Sequence, residues 1–471
     1  MSAPGAPATR NTSETLLGHP KGLFYLAFTE AWERFSFYGM QALLVLYMVN
    51  QLLLPGHVEN IVGFPAFRAA IESLLGPLST QALASMIFGL YSGLVYFTPL
   101  PGGLIGDRWI GQRNAVVMGA LLMCGGHLAM AFEQSFLLAL LLLVLGSGFL
   151  KGNISAQVGA LYPVEEEARR TRGFAIFSVG INVGAVAGPL LIGLLAVRYG
   201  WHYGFGMAAV FMLGGLFTYL VGYRQLPVRA ASRGQAGAGD SLTAAEWRIL
   251  AALCAVMGIT VFQSVSYLQL GNVLPVWLEQ HVSLKSGSFS IPAPWYQSID
   301  SFVSILFVPL LFWIWWRQSL RKGEPSDLSK IGTGAWIAAA SNLVLVASIV
   351  LTGGAPIHWI WPLLYCSGMG VAFLYYWPTL LALVSQAAPA KVNATMLGVA
   401  FLSLFIGGIL VGWIGGFYES LGPLWFWTLH AAIGAMGGVL VLLFGRRLER
   451  VLAGAARQPL RPSSQVLEST A

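Results

Sequence analysis

Apolar residues in this chain come in long unbroken blocks, not in the alternation of a strand or the single stripe of a soluble helix. Twelve blocks are separable, at 22–50, 80–105, 114–132, 135–161, 172–197, 203–223, 247–277, 293–317, 331–352, 358–386, 392–418 and 423–445. About 20 mostly apolar residues suffice to cross a hydrocarbon core as a helix, and runs of this length exceed any ordinary strand. The rhythm breaks twice. Residues 52–79 contain Pro and Gly and are too polar to span, which predicts a loop on the outer side. Residues 224–245 include RAASRGQAGAGD, a low-complexity linker. The pattern predicts an all-α polytopic membrane protein of twelve transmembrane helices in two six-helix bundles. Its expected layout is a tail at 1–21, a bundle at 22–223, a linker at 224–245, a second bundle at 246–445 and a tail at 446–471.

Composition narrows the class. Of 471 residues, 56% are hydrophobic and only 10% charged, with mean hydropathy +0.70. Soluble domains carry roughly 25% charged residues, so this chain cannot clothe itself for water. The 56 glycines fit helices that approach closely in lipid. Net charge is +7, and its distribution is more informative than its sum. With the N-terminus placed in the cytoplasm, only Arg68, Arg198 and Lys285 among the 26 Lys and Arg fall outside, while Arg34 and Lys151 lie inside spans. Such a bias predicts that both termini are cytoplasmic. Residues 1–21 are polar and the first apolar block is too long for a signal-peptide core, so it is expected to remain as a helix. Cys124, Cys254 and Cys366 are scattered in apolar stretches and are expected to pack, not to bind metal or pair. No phosphate loop, zinc motif or nucleophile triad is present, and nothing points to nucleic acid. A non-enzyme with the lipid bilayer as its solvent is expected, with no bound cofactor, no metal and no need of an oligomer beyond a monomer.

Charged residues inside the blocks are the candidate chemistry. Glu30, Glu33 and Arg34 are spaced i, i+3, i+4 and share one helix face with Tyr38 and Gln41. Each ionised residue at mid-membrane costs about 2.5–3.5 kcal/mol, so three unpaired would cost roughly 10 kcal/mol. They must face a watery cavity and pair with one another. Lys151, in the fourth block, has no acid within a turn, and Glu30 or Glu33 is its natural partner. A lysine near carboxylates can release a proton when its surroundings change, which suits proton coupling. Asn182 sits between Gly180 and Gly184 and could bind a substrate or bridge helices. Asp300 precedes an apolar run and could either cap a helix near the outer face or enter the site. Gln269, Tyr375 and Tyr376 are weaker candidates. His127 reads better as a hydrogen bond to a neighbouring helix than as a proton relay. Trp313, Trp315, Trp316, Trp359, Trp361, Trp425 and Trp427 fit interfacial belts.

Two halves of six spans is the layout of major facilitator carriers. Residues Gly102 to Arg113, with Asp107 and Arg108 at their centre, resemble that superfamily's cytoplasmic signature and imply a gating role for both. The stretch Glu30-Ala31-Trp32-Glu33-Arg34-Phe35-Ser36-Phe37-Tyr38-Gly39 resembles the ExxERFxYYG motif of the proton-dependent oligopeptide transporters, with Phe37 for the first Tyr. Lys151-Gly152-Asn153-Ile154-Ser155 resembles their KPNIS element, with Gly for Pro. Phe174 to Gly184 is similar to their FxxFYxxIN stretch, with Ser178 for Tyr, and Ile291 to Ser298 is similar to their entry to the eighth span. The resemblance covers nearly the whole chain. It implies a proton-coupled symporter of di- and tripeptides in a bacterial inner membrane, with Glu30, Glu33, Arg34 and Lys151 as the proton-coupling cluster. It also implies that Arg34 and Lys151 meet the peptide carboxylate and that Tyr38 and Asn182 line the site. Departures are visible: Gln41 stands for a second basic residue, Leu268 for its seventh-span Glu partner, and Phe373 for the Glu that usually meets the peptide amine. Asp300 stands where the family has Asn, which suggests a relocated counter-charge. Rival readings are a carrier of the same build for an anion or modified amino acid, a proton-driven drug antiporter, and a non-transporting receptor.

Overall fold

The structure is a computed structural model that describes residues 15–163, 166–227, 242–389 and 391–456. Most of the linker at 224–245 and much of both tails therefore lie outside the described residues. Helix α1 spans Lys21–Tyr47 and continues as a π turn over Met48–Leu52. A helix not expected from the sequence, α2 (Phe64–Leu75), lies within the loop at 52–79. Then come α3 (Thr80–Phe97), α4 (Pro99–Ile105), α5 (Gln112–Ala129), α6 (Phe136–Ala160), α7 (Glu167–Tyr199) and α8 (Trp201–Gly222). Beyond the linker are α9 (Ala244–Leu268), α10 (Val273–His281), α11 (Tyr296–Lys322), α12 (Asp327–Thr352), α13 (Ile360–Ala387), α14 (Asn393–Gly415) and α15 (Tyr418–Ala456). Strand is confined, among the described residues, to two-residue pairs in loops.

By length and composition, ten helical stretches among the described residues are apolar enough to cross a membrane. The first and third predicted spans fall outside that set because they are the polar ones. Helix α1 carries Glu30, Glu33 and Arg34, and α5 opens with Gln112, Arg113 and Asn114. The second and seventh predicted spans are each broken. Only Thr98 separates α3 from Pro99, which opens α4, and residues 269–272 turn between α9 and α10. Proline lies inside α7, α11 and α13 (Pro189, Pro309, Pro378), as membrane-spanning helices tolerate. Large side chains such as Phe217, Leu442 and Leu443 point outward, where lipid is their solvent. Trp427 is the exception among the expected belt tryptophans: it is fully buried against Trp277.

Lipid tails are as apolar as leucine, so helix association here rests on close packing. Glycine supplies it. A Cβ at Gly180 would lie 2.6 Å from the Ala27 carbonyl oxygen, and the same register recurs with Gly184 on Ala31 and Gly188 on Phe35. Helix α7 therefore lies backbone to backbone on α1, the helix that carries the charges. Gly102 and Gly106 likewise press against Gly148 and Asn153 of α6, and the Asn153 amide donates to the Gly102 carbonyl at 3.3 Å.

The first six spans pack on one another, as do the last six. The two groups meet along α3–α14 and α7–α11. Polar bonds across this divide gather toward one end. The Asn50 amide donates to Glu279 at 2.7 Å, Trp295 Nε1 to the Leu190 carbonyl at 2.8 Å, Ser298 Oγ to the Val186 carbonyl at 2.7 Å, and Gln81 to the Gly415 carbonyl at 3.3 Å. Gln41 and Leu268 supply no ion pair across the divide, and at this end it is bridged by other residues with neutral donors.

The crossing of α3 and α14 is tight enough to test. A Cβ at Gly89 would sit 2.6 Å from the Gly408 carbonyl oxygen, whereas one at Gly103 would meet nothing within 4 Å. Gly89→Leu is expected to cost at least about 1–3 kcal/mol through overpacking, read as a lowered melting temperature of the purified protein. Gly103→Leu should melt like wild type. Equal melting of both variants would contradict the close crossing.

Candidate functional site

Helix periodicity aims Glu30, Glu33 and Arg34 into the interior, where they are 3%, 0% and 8% exposed. Arg34 Nε lies 2.8 Å from Glu30 Oε1 and 2.7 Å from Glu33 Oε2. The first contact is a directed hydrogen bond; the second is an ion contact without that alignment, and neither Glu33 oxygen has a hydrogen-bond partner among the described residues. One guanidinium edge is therefore shared by two acids. Tyr38, one turn on, lies close enough to feel Arg34, Glu33 and Asp300.

Lys151 departs from expectation in its partner. No carboxylate stands within ion-pair distance of it among the described residues. Its ammonium rests on aromatic faces instead, 4.5 Å from the Phe37 centroid and 5.3 Å from that of Tyr96. It still shares the field of Glu33, Glu30 and Arg34. The Phe37 ring thus offers its face to the cation, as the phenol ring of Tyr96 does.

From the other half comes Asp300, only 6% exposed. It lies inside α11, whose N-cap is Trp295, so it is not a helix-start cap. Its Oδ2 accepts from the Tyr267 hydroxyl at 2.6 Å and its Oδ1 from Ser301 Oγ at 3.4 Å. Among the described residues no Lys, Arg or His pairs with it. Tyr267 stacks on Phe373 at 4.7 Å, and Tyr376 stands edge-on to Phe373 at 5.6 Å. Tyr96 reaches across, within the influence of both Tyr38 and Asp300.

Other sequence candidates fall in different places. Asn182 is half-buried on α7 and its amide makes no hydrogen bond among the described residues, so it does not bridge helices here. Gln269 is fully buried and committed elsewhere: Nε2 meets His430 Nε2 at 2.9 Å and Oε1 accepts from the Val273 amide at 3.4 Å, which holds the α9–α10 break. Structural work at a helix break explains its amide better than a ligand role. Tyr375 turns away from Tyr376 to Trp315 at 5.8 Å. Asp107 accepts from Gln112 Nε2 at 2.8 Å within its own half, and Arg108 is exposed with no ion pair among the described residues. His127 has no partner on either ring nitrogen among the described residues, contrary to expectation. Lys330 is buried in α12 on the Trp315 face at 4.3 Å and paired with Glu324 at 2.6 Å.

Sequence reasoning passed over Tyr91, Tyr96 and Tyr267. Tyr91 is buried beside Phe37 and within the influence of Glu33. A usable signal existed, since a phenol deep inside a span wants a polar partner.

Comparison with known proteins bears on the whole chain. The family described as Major Facilitator Superfamily matches residues 35–412. The peptide transporter YePEPT of Yersinia enterocolitica subsp. palearctica serotype O:3 is 28% identical over 91% of this chain and 94% of its own length. A di-/tripeptide transporter of Lactococcus lactis subsp. cremoris is 27% identical over 94% and 98%. A crystal structure of the peptide transporter POT in complex with sulfate superposes with a TM-score of 0.80, at 27% identity, covering 93% of this chain and 97% of that one.

The shared guanidinium edge yields a prediction. An ammonium is a point charge that cannot hold two acids along one edge and still present further donors in a plane. Arg34→Lys is expected to lower substrate affinity and uptake at least about tenfold, a loss of about 1.4 kcal/mol. Equilibrium binding and initial uptake rates check it, and wild-type values would contradict it.

Proposed function

Because the chain belongs to the major facilitator superfamily and, within it, to the proton-dependent oligopeptide transporters, we propose that it imports di- and tripeptides together with protons by alternating access. The observation that carries this reading is the polarity of the site: Arg34 and Lys151 on one wall, an unpaired Asp300 on the other. A peptide is a zwitterion and meets such a pair of walls end to end. With every group ionised, Glu30, Glu33, Arg34 and Lys151 cancel and Asp300 leaves one negative charge, so the site lacks one cation.

Coupling follows from competition. A substrate carboxylate drawn to Arg34 and Lys151 takes charge compensation away from Glu30 and Glu33. A buried acid deprived of its counter-charge takes up a proton. Each then favours the other, because linkage is reciprocal. Lys151, resting on Phe37 and Tyr96 with no fixed ion pair, is the group most free to change partner. The proton supplies about 2.3 kcal/mol per 100 mV of potential as it moves inward. No cofactor beyond the proton enters this scheme. The basic-residue bias supports cytoplasmic termini in a bacterial inner membrane, with the bonds from Asn50 to Gly415 closing the outer end. Asp107 and Arg108 then lie on the inner side, where their exposure suits transient contacts between the halves.

Reconstitution tests the proposal. Proteoliposomes given an inward proton gradient should accumulate labelled dialanine, and an outward gradient should not drive uptake. Faster uptake with an outward gradient would mean antiport, and binding without flux would mean a receptor. Lys151→Ala should abolish gradient-driven accumulation while exchange of peptide for peptide persists, since exchange moves no net proton. Full accumulation by that variant would overturn the role given to Lys151.

A further inference from the structure

The surroundings of Asp300 say more about its ligand than its charge does. It is a buried carboxylate with no cationic partner among the described residues, and an intramembrane charge of that kind needs a counter-charge from outside the fold. Yet each of its oxygens already accepts a hydrogen bond, from the Tyr267 hydroxyl at 2.6 Å and from Ser301 at 3.4 Å. Of a carboxylate's roughly four acceptor sites these two bonds take two, which leaves fewer than the three donors a primary ammonium brings. Beside it the stacked rings of Tyr267 and Phe373 meet Tyr376, which stands at 86° to Phe373, so the three rings form a corner and not a flat wall. Aromatic faces attract a cation without requiring a single N–H. A primary ammonium brings three donors, and any left unpaired in a buried site is penalised. A methylated nitrogen brings fewer, and a quaternary one none.

We propose that Asp300, Tyr267, Phe373 and Tyr376 form a cation subsite that accepts N-methylated and quaternary ammonium groups, so that the substrates include zwitterions with a methylated amino end. This rests on the reading of the site as one for zwitterions, with the anionic end at Arg34 and Lys151, and it adds which cations the opposite wall admits. The opposite wall illustrates the principle within this fold: there Lys151, with no carboxylate in contact among the described residues, is held by Phe37 and Tyr96.

Calorimetric binding to the purified full chain compares three ligands: dialanine, N,N,N-trimethyl-dialanine and N-acetyl-dialanine. The trimethyl compound is expected to bind within about tenfold of dialanine, and the uncharged acetyl compound at least about tenfold more weakly than either. Phe373→Leu should weaken the trimethyl ligand about tenfold and dialanine less. Tyr267→Phe, which keeps the ring and removes the hydroxyl, guards against a packing defect and should retain trimethyl binding. Trimethyl-dialanine binding as poorly as the acetyl compound, while dialanine binds well, overturns the subsite and leaves peptide transport standing. Binding of the trimethyl ligand without binding or uptake of dialanine does the reverse. Failure of both charged ligands overturns both.

Discussion

Everything in this molecule is arranged around one problem: keeping Arg34, Glu30 and Glu33 ionised in a place without bulk water. A guanidinium edge at 2.8 and 2.7 Å from two carboxylates solves half of it. One positive charge cannot satisfy two negative ones, and the second cation, Lys151, is held nearby on aromatic rings and not locked into a salt bridge. A fully paired knot would be stable and inert. A buried pair that is broken outright would be ruinous, at about 3–5 kcal/mol. The arrangement lies between these: compensated as a group, yet with no salt bridge to Lys151 among the described residues that must be broken before it can move.

That electrostatic centre depends on the glycine register beneath it. Gly180, Gly184 and Gly188 bring α7 onto the backbone of α1 at Ala27, Ala31 and Phe35, next to the charged face. Close backbone contact fixes where Arg34 emerges. The divide between the halves is made differently. Its end ties, from Asn50, Trp295, Ser298 and Gln81, use neutral donors onto carbonyls or a single carboxylate. Such ties can form and break over a cycle without stranding an ion in a low-dielectric medium.

The spans, the two-half order and the charged face of α1 were legible because lipid imposes crude rules: about 20 apolar residues per crossing, and a cost for every ion within. What escaped was set by tertiary contact. Gln269 and Asp300 look equally polar in sequence. Only the meeting of α9 with α15 makes one a helix-break brace on His430, and only the meeting of α9 with α11 gives the other Tyr267. Lys151 had an evident electrostatic partner in sequence, but the rings that hold it come from α1 and α3. Aromatic residues are common in membrane spans, so Tyr91, Tyr96 and Tyr267 stood out from no background until the fold gathered them. The short helix α2 was hidden by its proline, which at a helix start is permissive and not disruptive.

On the proposed reading, the walls of the site are unlike in a way that bears on coupling. On the α1 side charge is balanced by charge, so a substrate carboxylate acts by disturbing an existing compensation, and protonation is the relief available to a buried acid. On the α11 side Asp300 has hydrogen bonds from Tyr267 and Ser301 but no cationic partner among the described residues, so an incoming cation relieves a deficit already present. One end of a zwitterion creates a need for a proton while the other removes a standing cost. Neither half of the substrate does both. A ligand with only an anionic end would disturb the first wall and leave Asp300 uncompensated. A ligand with only a cationic end would satisfy Asp300 and give Glu30 and Glu33 no reason to change. The proposed coupling would thus make proton uptake depend on a complete zwitterion through the division of charges between the two bundles, before any motion of the helices is considered.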